Sequence, residues 1–178
     1  THGTYKMCHK RNKASFNIDF KFITNEEKFN INNVIVTPIT VPHDAREPVQ
    51  FKFETKESIF AIITDLGFGS EYLLKSINDV NSIVVESNHE SKRLEESDYP
   101  ESLKQRIGGR YGHLDNQEAA RILKSIKKKN LDFVGAAHLS DKNNNPDVVR
   151  KELSLAIGKD ASFIKIIDQE NGFDWTSV

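Results

Sequence analysis

The chain predicts a layered α/β domain, and three observations carry that prediction. Its first half is rich in alternating and β-branched segments, and its second half alternates short apolar runs with amphipathic stretches. Three strand-like runs also end in polar residues of related chemistry, His43, Asp65 and His138. A β-rich half followed by strand–helix alternation favours a sheet covered by helices over a sandwich or a bundle.

The elements follow in order. Residues 4–13, with Lys6, His9, Lys10, Arg11 and Lys13, suit a short helix or a connector. Phe16, Ile18, Phe20 and Phe22 then alternate with polar residues, the mark of a half-buried strand. Asn30-Ile31-Asn32-Asn33 predicts a turn before a strand over Val34–Val41. Val49, Phe51 and Phe53 alternate through Pro48–Glu54, and a Lys56-Glu57 turn leads into the Ile59–Thr64 run.

After Gly67 the period changes. Ser70 is placed to cap a short helix to Ile77, since its hydroxyl can accept from a free backbone N–H of the first turn. Ser82–Glu86 predicts a buried strand, and His89–Glu96 and residues 100–107 predict short helices flanking a polar stretch. Gly108-Gly109-Arg110-Tyr111-Gly112 is a loop. Asn116–Lys129 predicts an amphipathic helix capped by Asp115 or Asn116, with Ala119, Ala120, Leu123 and Ile126 on one face. Phe133–Ala137 is a strand, Asn145-Pro146-Asp147 opens a helix with Pro in the first turn, and Phe163–Ile167 closes the pattern as a strand.

The length of 178 residues fits a single domain spanning 1–178. Lys+Arg 25 against Asp+Glu 26 gives a net charge of −1, so any nucleic-acid contact must come from a local patch rather than a global basic field. The single cysteine, Cys8, excludes an internal disulfide and a cysteine-rich zinc module, and fits a reducing cytoplasm. There is no 18-residue apolar run for a membrane-spanning helix. The opening Thr1-His2-Gly3-Thr4-Tyr5-Lys6 has neither the charged nor the apolar region of a signal peptide. It has the character of a chain entered in mid-domain.

Buried strands ending in His, Asp and His can gather two imidazoles and a carboxylate at one rim of a sheet, a donor set suited to Zn²⁺ or Mn²⁺. Each residue also has an ordinary reading: His43 as a turn histidine, Asp65 as an Asx-turn or cap, and His138 as a cap beside Ser140. His113 suits proton transfer to a leaving oxygen, or a backbone hydrogen bond at a helix start. Asn88 and His89 follow a buried strand and suit substrate contact, or a solvated helix start. Glu86 can orient an imidazole or simply end its strand. Arg106, Arg110 and Tyr111 combine guanidiniums that match phosphate with a ring that can stack on a base; the alternative is a mobile surface loop. Lys124, Lys127, Lys128 and Lys129 suit a solvated helix end.

Five segments in order resemble one known family. They are Pro42-His43-Asp44-Ala45-x-Glu47-Pro48, Thr64-Asp65-Leu66-Gly67, Val85-Glu86-Ser87-Asn88-His89, Tyr111-Gly112-His113-Leu114-x-Asn116-x-Glu118-Ala119-Ala120 and His138-Leu139-Ser140-x-x-Asn143-Asn144. Together they resemble the metallo-β-lactamase fold, and within it the YycJ/WalJ-like exonucleases, with ribonuclease Z and the phosphonate-pathway cyclic phosphodiesterase as more distant relatives.

The resemblance implies a four-layer αββα sandwich and a metal-dependent hydrolase of phosphodiesters, acting on DNA in preference to RNA through a hydroxide activated by two divalent ions, Zn or Mn. It implies His43, Asp65 and His138 as metal ligands, with Asp65 as the bridging carboxylate, and His113 beside the scissile phosphate. From their own chemistry, Arg106, Arg110, Tyr111, His89 and Asn88 are the substrate-contact candidates. The family's His-x-His-x-Asp-His ligand loop has no counterpart here. The expected chain is therefore the greater, C-terminal part of the fold, holding one ion or none by itself and self-associating through the surface so uncovered. Two alternatives stay open: a catalytically inactive binding or assembly module, and a small-ester or lactone hydrolase.

Overall fold

Alternation of side chains along each strand sorts the apolar residues onto the two faces of one seven-stranded sheet, whose strands lie side by side in chain order. The computed structural model describes residues 1–11, 20–127, 131–170 and 172–176. After the helix α1 (His2–Arg11), strands β1 (Phe29–Ile31), β2 (Val34–Thr40), β3 (Val49–Glu54) and β4 (Ile59–Ile63) form an antiparallel meander. Strands β5 (Ser82–Glu86), β6 (Phe133–Ala137) and β7 (Ile164–Ile166) continue it in parallel with β4.

Parallel neighbours require crossovers. Helix α2 (Glu71–Ser76) connects β4 to β5. Helices α3 (Ser91–Glu96), α4 (Glu101–Ile107) and α5 (Asn116–Ser125) connect β5 to β6, and α6 (Pro146–Ile157) connects β6 to β7. The caps are local and legible: the Ser70 hydroxyl accepts from Leu73 N, the Asp115 carboxylate from Glu118 N and the Asn145 side chain from Asp147 N. Gly158 ends α6 at φ +66°, a left-handed position that favours glycine.

Helices α2, α5 and α6 cover one face. Leu73, Ile77, Ala119, Ile122, Leu123, Val149 and Leu153 pack with Ile39, Ala61, Ile63, Ile83, Val85, Val134, Ala136 and Ile164 in one buried cluster. Each large aliphatic side chain removed from water there contributes about 1.5–3 kcal/mol. The alternate residues Val84, Phe133 and Ala137 cluster with Phe60, Ile62 and Ile167 on the opposite face. Every residue of β5 and β6 is buried, as expected of strands covered on both sides. No helix among the described residues is long and apolar enough to cross a membrane.

Four local expectations change. Phe20 and Phe22 lie outside any strand and pack on Tyr5, with ring centroids 4.9 and 5.1 Å away; Phe16 and Ile18 fall outside the described residues. The predicted turn at Asn30 begins later, because Phe29–Ile31 pairs with Val34–Val36 and Asn32 makes the turn at φ +51°. Helix α5 stops at Ser125, since Ile126 is extended and Lys127 N donates to Asn78 O; Lys128 and Lys129 lie outside the described residues. Ala161–Phe163 is a 3₁₀ turn, which shortens the last strand.

This architecture determines where the polar strand ends lie. β2, β4, β5 and β6 all run in the same direction. The residues after them therefore share one rim of the sheet, the edge at which open α/β sheets place their ligands.

Candidate metal centre

Asp65 and His138 each follow a strand in a left-handed backbone conformation, at φ +55° and +59°. Such conformations cost non-glycine residues about 1–3 kcal/mol and concentrate at sites where a side chain must be aimed. Here they turn both side chains toward each other, with His138 Nδ1 3.7 Å from Asp65 Oδ1. His43 enters from the β2 end with Nε2 3.9 Å from the same oxygen. His113 completes the cluster from the loop before α5, its ring 5.3 Å from that of His43 and 5.0 Å from that of His138. Ligand atoms of Asp65, His113 and His138 lie within 4.8 Å of one another.

Glu86, the last residue of β5, is 0 % exposed and organises the cluster from behind. Its Oε1 lies 2.7 Å from Nδ1 of both His113 and His138, and Oε2 accepts from Leu66 N at 3.2 Å. Burial pushes this carboxyl up, but hydrogen bonds and charge from the two histidines outweigh it and hold the group below its usual range. In return, the hydrogen bond to Glu86 raises His138 above an ordinary histidine, against the opposing effect of its burial.

The tautomers follow from these partners. A carboxylate and a carbonyl only accept, so the Nδ1 atoms of His113 and His138 donate to Glu86, and Nδ1 of His43 donates to Gly112 O at 3.2 Å. All three rings therefore present an Nε2 lone pair. Ligating imidazoles are prepared in just this way, with the second nitrogen held by an acceptor. Asp65 with His138 and either His43 or His113 supplies the nitrogen and oxygen donors that suit a divalent ion. A cleft of about 620 Å³ opens beside Asp65 and His138, bounded by Thr64, Ser140, Asp141 and Asp168.

The loops that carry the site are knitted together. Gly67 N donates to Pro42 O, Asp44 N to Tyr111 O and His113 N to Ile107 O, at 2.9, 2.9 and 2.8 Å. Gly112 has no room for a side chain, because a Cβ there would meet the carbonyls of Arg106 and Ile107. Beneath them, Ser87, Asn116 and Asn144 form a buried network. Ser87 Oγ and Asn144 Nδ2 both donate to Asn116 Oδ1, and Asn116 Nδ2 donates to Asn144 Oδ1.

The substrate candidates divide. Arg106 Nε is 2.6 Å from Asp44 Oδ2, whereas the Arg110 guanidinium lies 4.6 Å over the Phe68 ring. Tyr111 is 63 % exposed at the same mouth. Asn88 joins loop to loop instead of standing free: Nδ2 donates to His138 O at 2.8 Å, while its backbone bonds Leu114 and Ser140. His89 is 3 % exposed, and burial lowers its basicity. In the sequence Glu86 reads as an orienter of one imidazole or as an ordinary strand end, and Asp44 and Phe68 carry no sign of a role. A buried strand ending in an acid was the available signal for Glu86; nothing in the pattern marked the other two.

A mixed sheet with helices over one face and a rim of His and Asp at the parallel strand ends defines a metallo-β-lactamase-fold domain. Among solved structures, the metallo-beta-lactamase fold protein YhfI from Bacillus subtilis superposes with a TM-score of 0.62 over 86% of this chain and 54% of that one, at 15% identity. No protein-family model matches the chain. In sequence it is 34% identical over 125 residues to the exodeoxyribonuclease YycJ of Bacillus anthracis, covering 70% of this chain and 47% of that protein. It is 30% identical over 104 residues to the exodeoxyribonuclease WalJ of Streptococcus pneumoniae, covering 58% of this chain and 39% of the relative. The chain has the metallo-β-lactamase fold and is YycJ/WalJ-like in sequence. It matches less than half the length of these curated relatives.

Proposed function

We propose that this chain carries a metal-dependent DNA exonuclease site built on His43, Asp65 and His138. The observation that carries the reading is a cluster of three imidazoles, each anchored through Nδ1, beside Asp65: ring nitrogens of His43 and His138 lie 3.9 and 3.7 Å from its Oδ1, and ligand atoms of Asp65, His113 and His138 lie within 4.8 Å of one another. The exodeoxyribonuclease names of the relatives support DNA as substrate. His43, Asp65 and His138 would hold the ion, which when bound would supply Lewis acidity and a water of lowered pKa.

The remaining chemistry belongs to the chain's own groups. A phosphodiester seated at this rim places its leaving oxygen within reach of His113, whose Nδ1–H is held by Glu86. Protonation at Nε2 then gives an imidazolium stabilised by a buried carboxylate, and that proton neutralises the departing alkoxide. Tyr111, exposed at the mouth, offers a face for an unstacked terminal base.

The test is release of mononucleotides from end-labelled DNA in the presence of Mn²⁺, for the wild-type chain and His113→Ala. The reading requires chelator-sensitive release, and a loss of about 10²–10⁴-fold in the variant. Release no greater than in the chelator control, or an equally active variant, contradicts it.

A further inference from the structure

The two arginines of the loop after α4 have different electrostatic company. Arg106 is latched: its Nε meets Asp44 Oδ2 at 2.6 Å, and the contact lowers the basicity of the Asp44 carboxylate while raising that of the guanidinium. The same Asp44 fixes its backbone N–H to Tyr111 O. Arg106 thus ties the end of α4 to the loop that carries His43, and its charge is already met. Arg110 has no carboxylate partner among the described residues. Its guanidinium is exposed and lies over Phe68, on the loop that begins at Asp65. The backbones beneath are in contact too, since a Cβ at Gly67 would strike the Arg110 carbonyl.

We propose that Arg110, propped on Phe68, is the residue that contacts a backbone phosphate of the nucleic-acid strand entering the site, and that Arg106 is a positioning residue for the rim. The proposal rests on the exonuclease reading above and divides labour within it. An aromatic ring beneath a guanidinium fixes its plane while leaving its N–H groups to reach outward. A charge unpaired in the free protein releases a condensed counterion when it meets DNA, whereas a charge already neutralised by Asp44 contributes little. Phe68 therefore acts through Arg110.

The test is fluorescence-anisotropy titration of a labelled single-stranded oligothymidylate in chelator, across a series of salt concentrations, for the wild-type chain, Arg110→Ala, Arg106→Ala and Phe68→Leu. Arg110 is exposed, so its truncation leaves the core intact. In Arg110→Ala the slope of log K against log salt becomes shallower by about one phosphate contact, close to 0.7 for a single strand. Phe68→Leu weakens binding about two- to fivefold, the strength of an exposed cation–π contact. Arg106→Ala keeps the wild-type slope. An unchanged slope in Arg110→Ala, or a slope lost in Arg106→Ala instead, overturns the division while the wild type still binds. A wild type that does not bind the strand at all overturns the nucleic-acid reading together with it.

Discussion

His113 and His138 direct their Nδ1 atoms at the same oxygen of Glu86, each at 2.7 Å. One buried carboxylate therefore sets the tautomer and the aim of two imidazoles delivered by different crossovers. A single substitution at Glu86 disturbs both.

Glu86→Gln tests that coupling. An amide keeps the size but has only one acceptor oxygen, so either both imidazoles or Leu66 N lose their acceptor. Divalent-metal affinity, read by competition with a chromophoric chelator, falls about 10–100-fold, the usual effect of removing a carboxylate that orients ligating histidines. The variant also unfolds more easily by about 1–3 kcal/mol, because a buried donor is left unpaired.

The pH dependence of stability in chelator-treated protein follows from the same group. Glu86 has a folded pKa below its ordinary 4.5, so its contribution is complete above that value and is lost as pH falls through the lower folded value. His138 is raised above its ordinary 6.5; its contribution is complete below 6.5 and is lost as pH rises through the higher folded value. Urea midpoints measured from pH 3 to 9 are highest between these limits. Glu86→Gln flattens both flanks.

Asn144→Ala removes the centre of the network that joins Ser87 and Asn116. Asn116 Nδ2, Ser87 O and Asn145 N lose their partner, so urea unfolding shows a loss of about 1–3 kcal/mol. The β5 end and the start of α5 exchange their amide hydrogens faster.

Gly112→Ala forces a Cβ against the Arg106 and Ile107 carbonyls and costs about 1–3 kcal/mol of overpacking. It also displaces Gly112 O, the acceptor for His43, so metal affinity falls with stability. Gly158→Ala, at φ +66° with open space around it, costs about 1–2 kcal/mol by backbone conformation alone and leaves metal affinity unchanged.

Much of this fold is legible where local physics decides it. The Ser70, Asp115 and Asn145 caps, the buried Ser82–Glu86 and Phe133–Ala137 runs and the proline at the start of α6 all announce themselves. Boundaries set by long-range contacts do not. Lys127 leaves the helix because Asn78 O accepts its N–H, and Phe29–Ile31 is a strand only because Val34–Val36 lies beside it. The site divides in the same way. Strand-end positions locate His43, Asp65 and His138, but the shared carboxylate of Glu86, the Asp44 latch and the Phe68 prop arise from contacts between distant segments. His89 and Asn88 show the converse: the sequence places them near the rim, and packing assigns one to the interior and the other to joining loops.

The most direct measurement is calorimetric titration of Mn²⁺ or Zn²⁺ into chelator-stripped protein, for the wild-type chain, Asp65→Asn and His138→Ala. The account predicts saturable binding to the wild type and a loss of at least about tenfold in each variant, comparable to removing groups that hold or orient a metal. Absence of saturable binding to the wild type, or equal affinity in all three proteins, contradicts it.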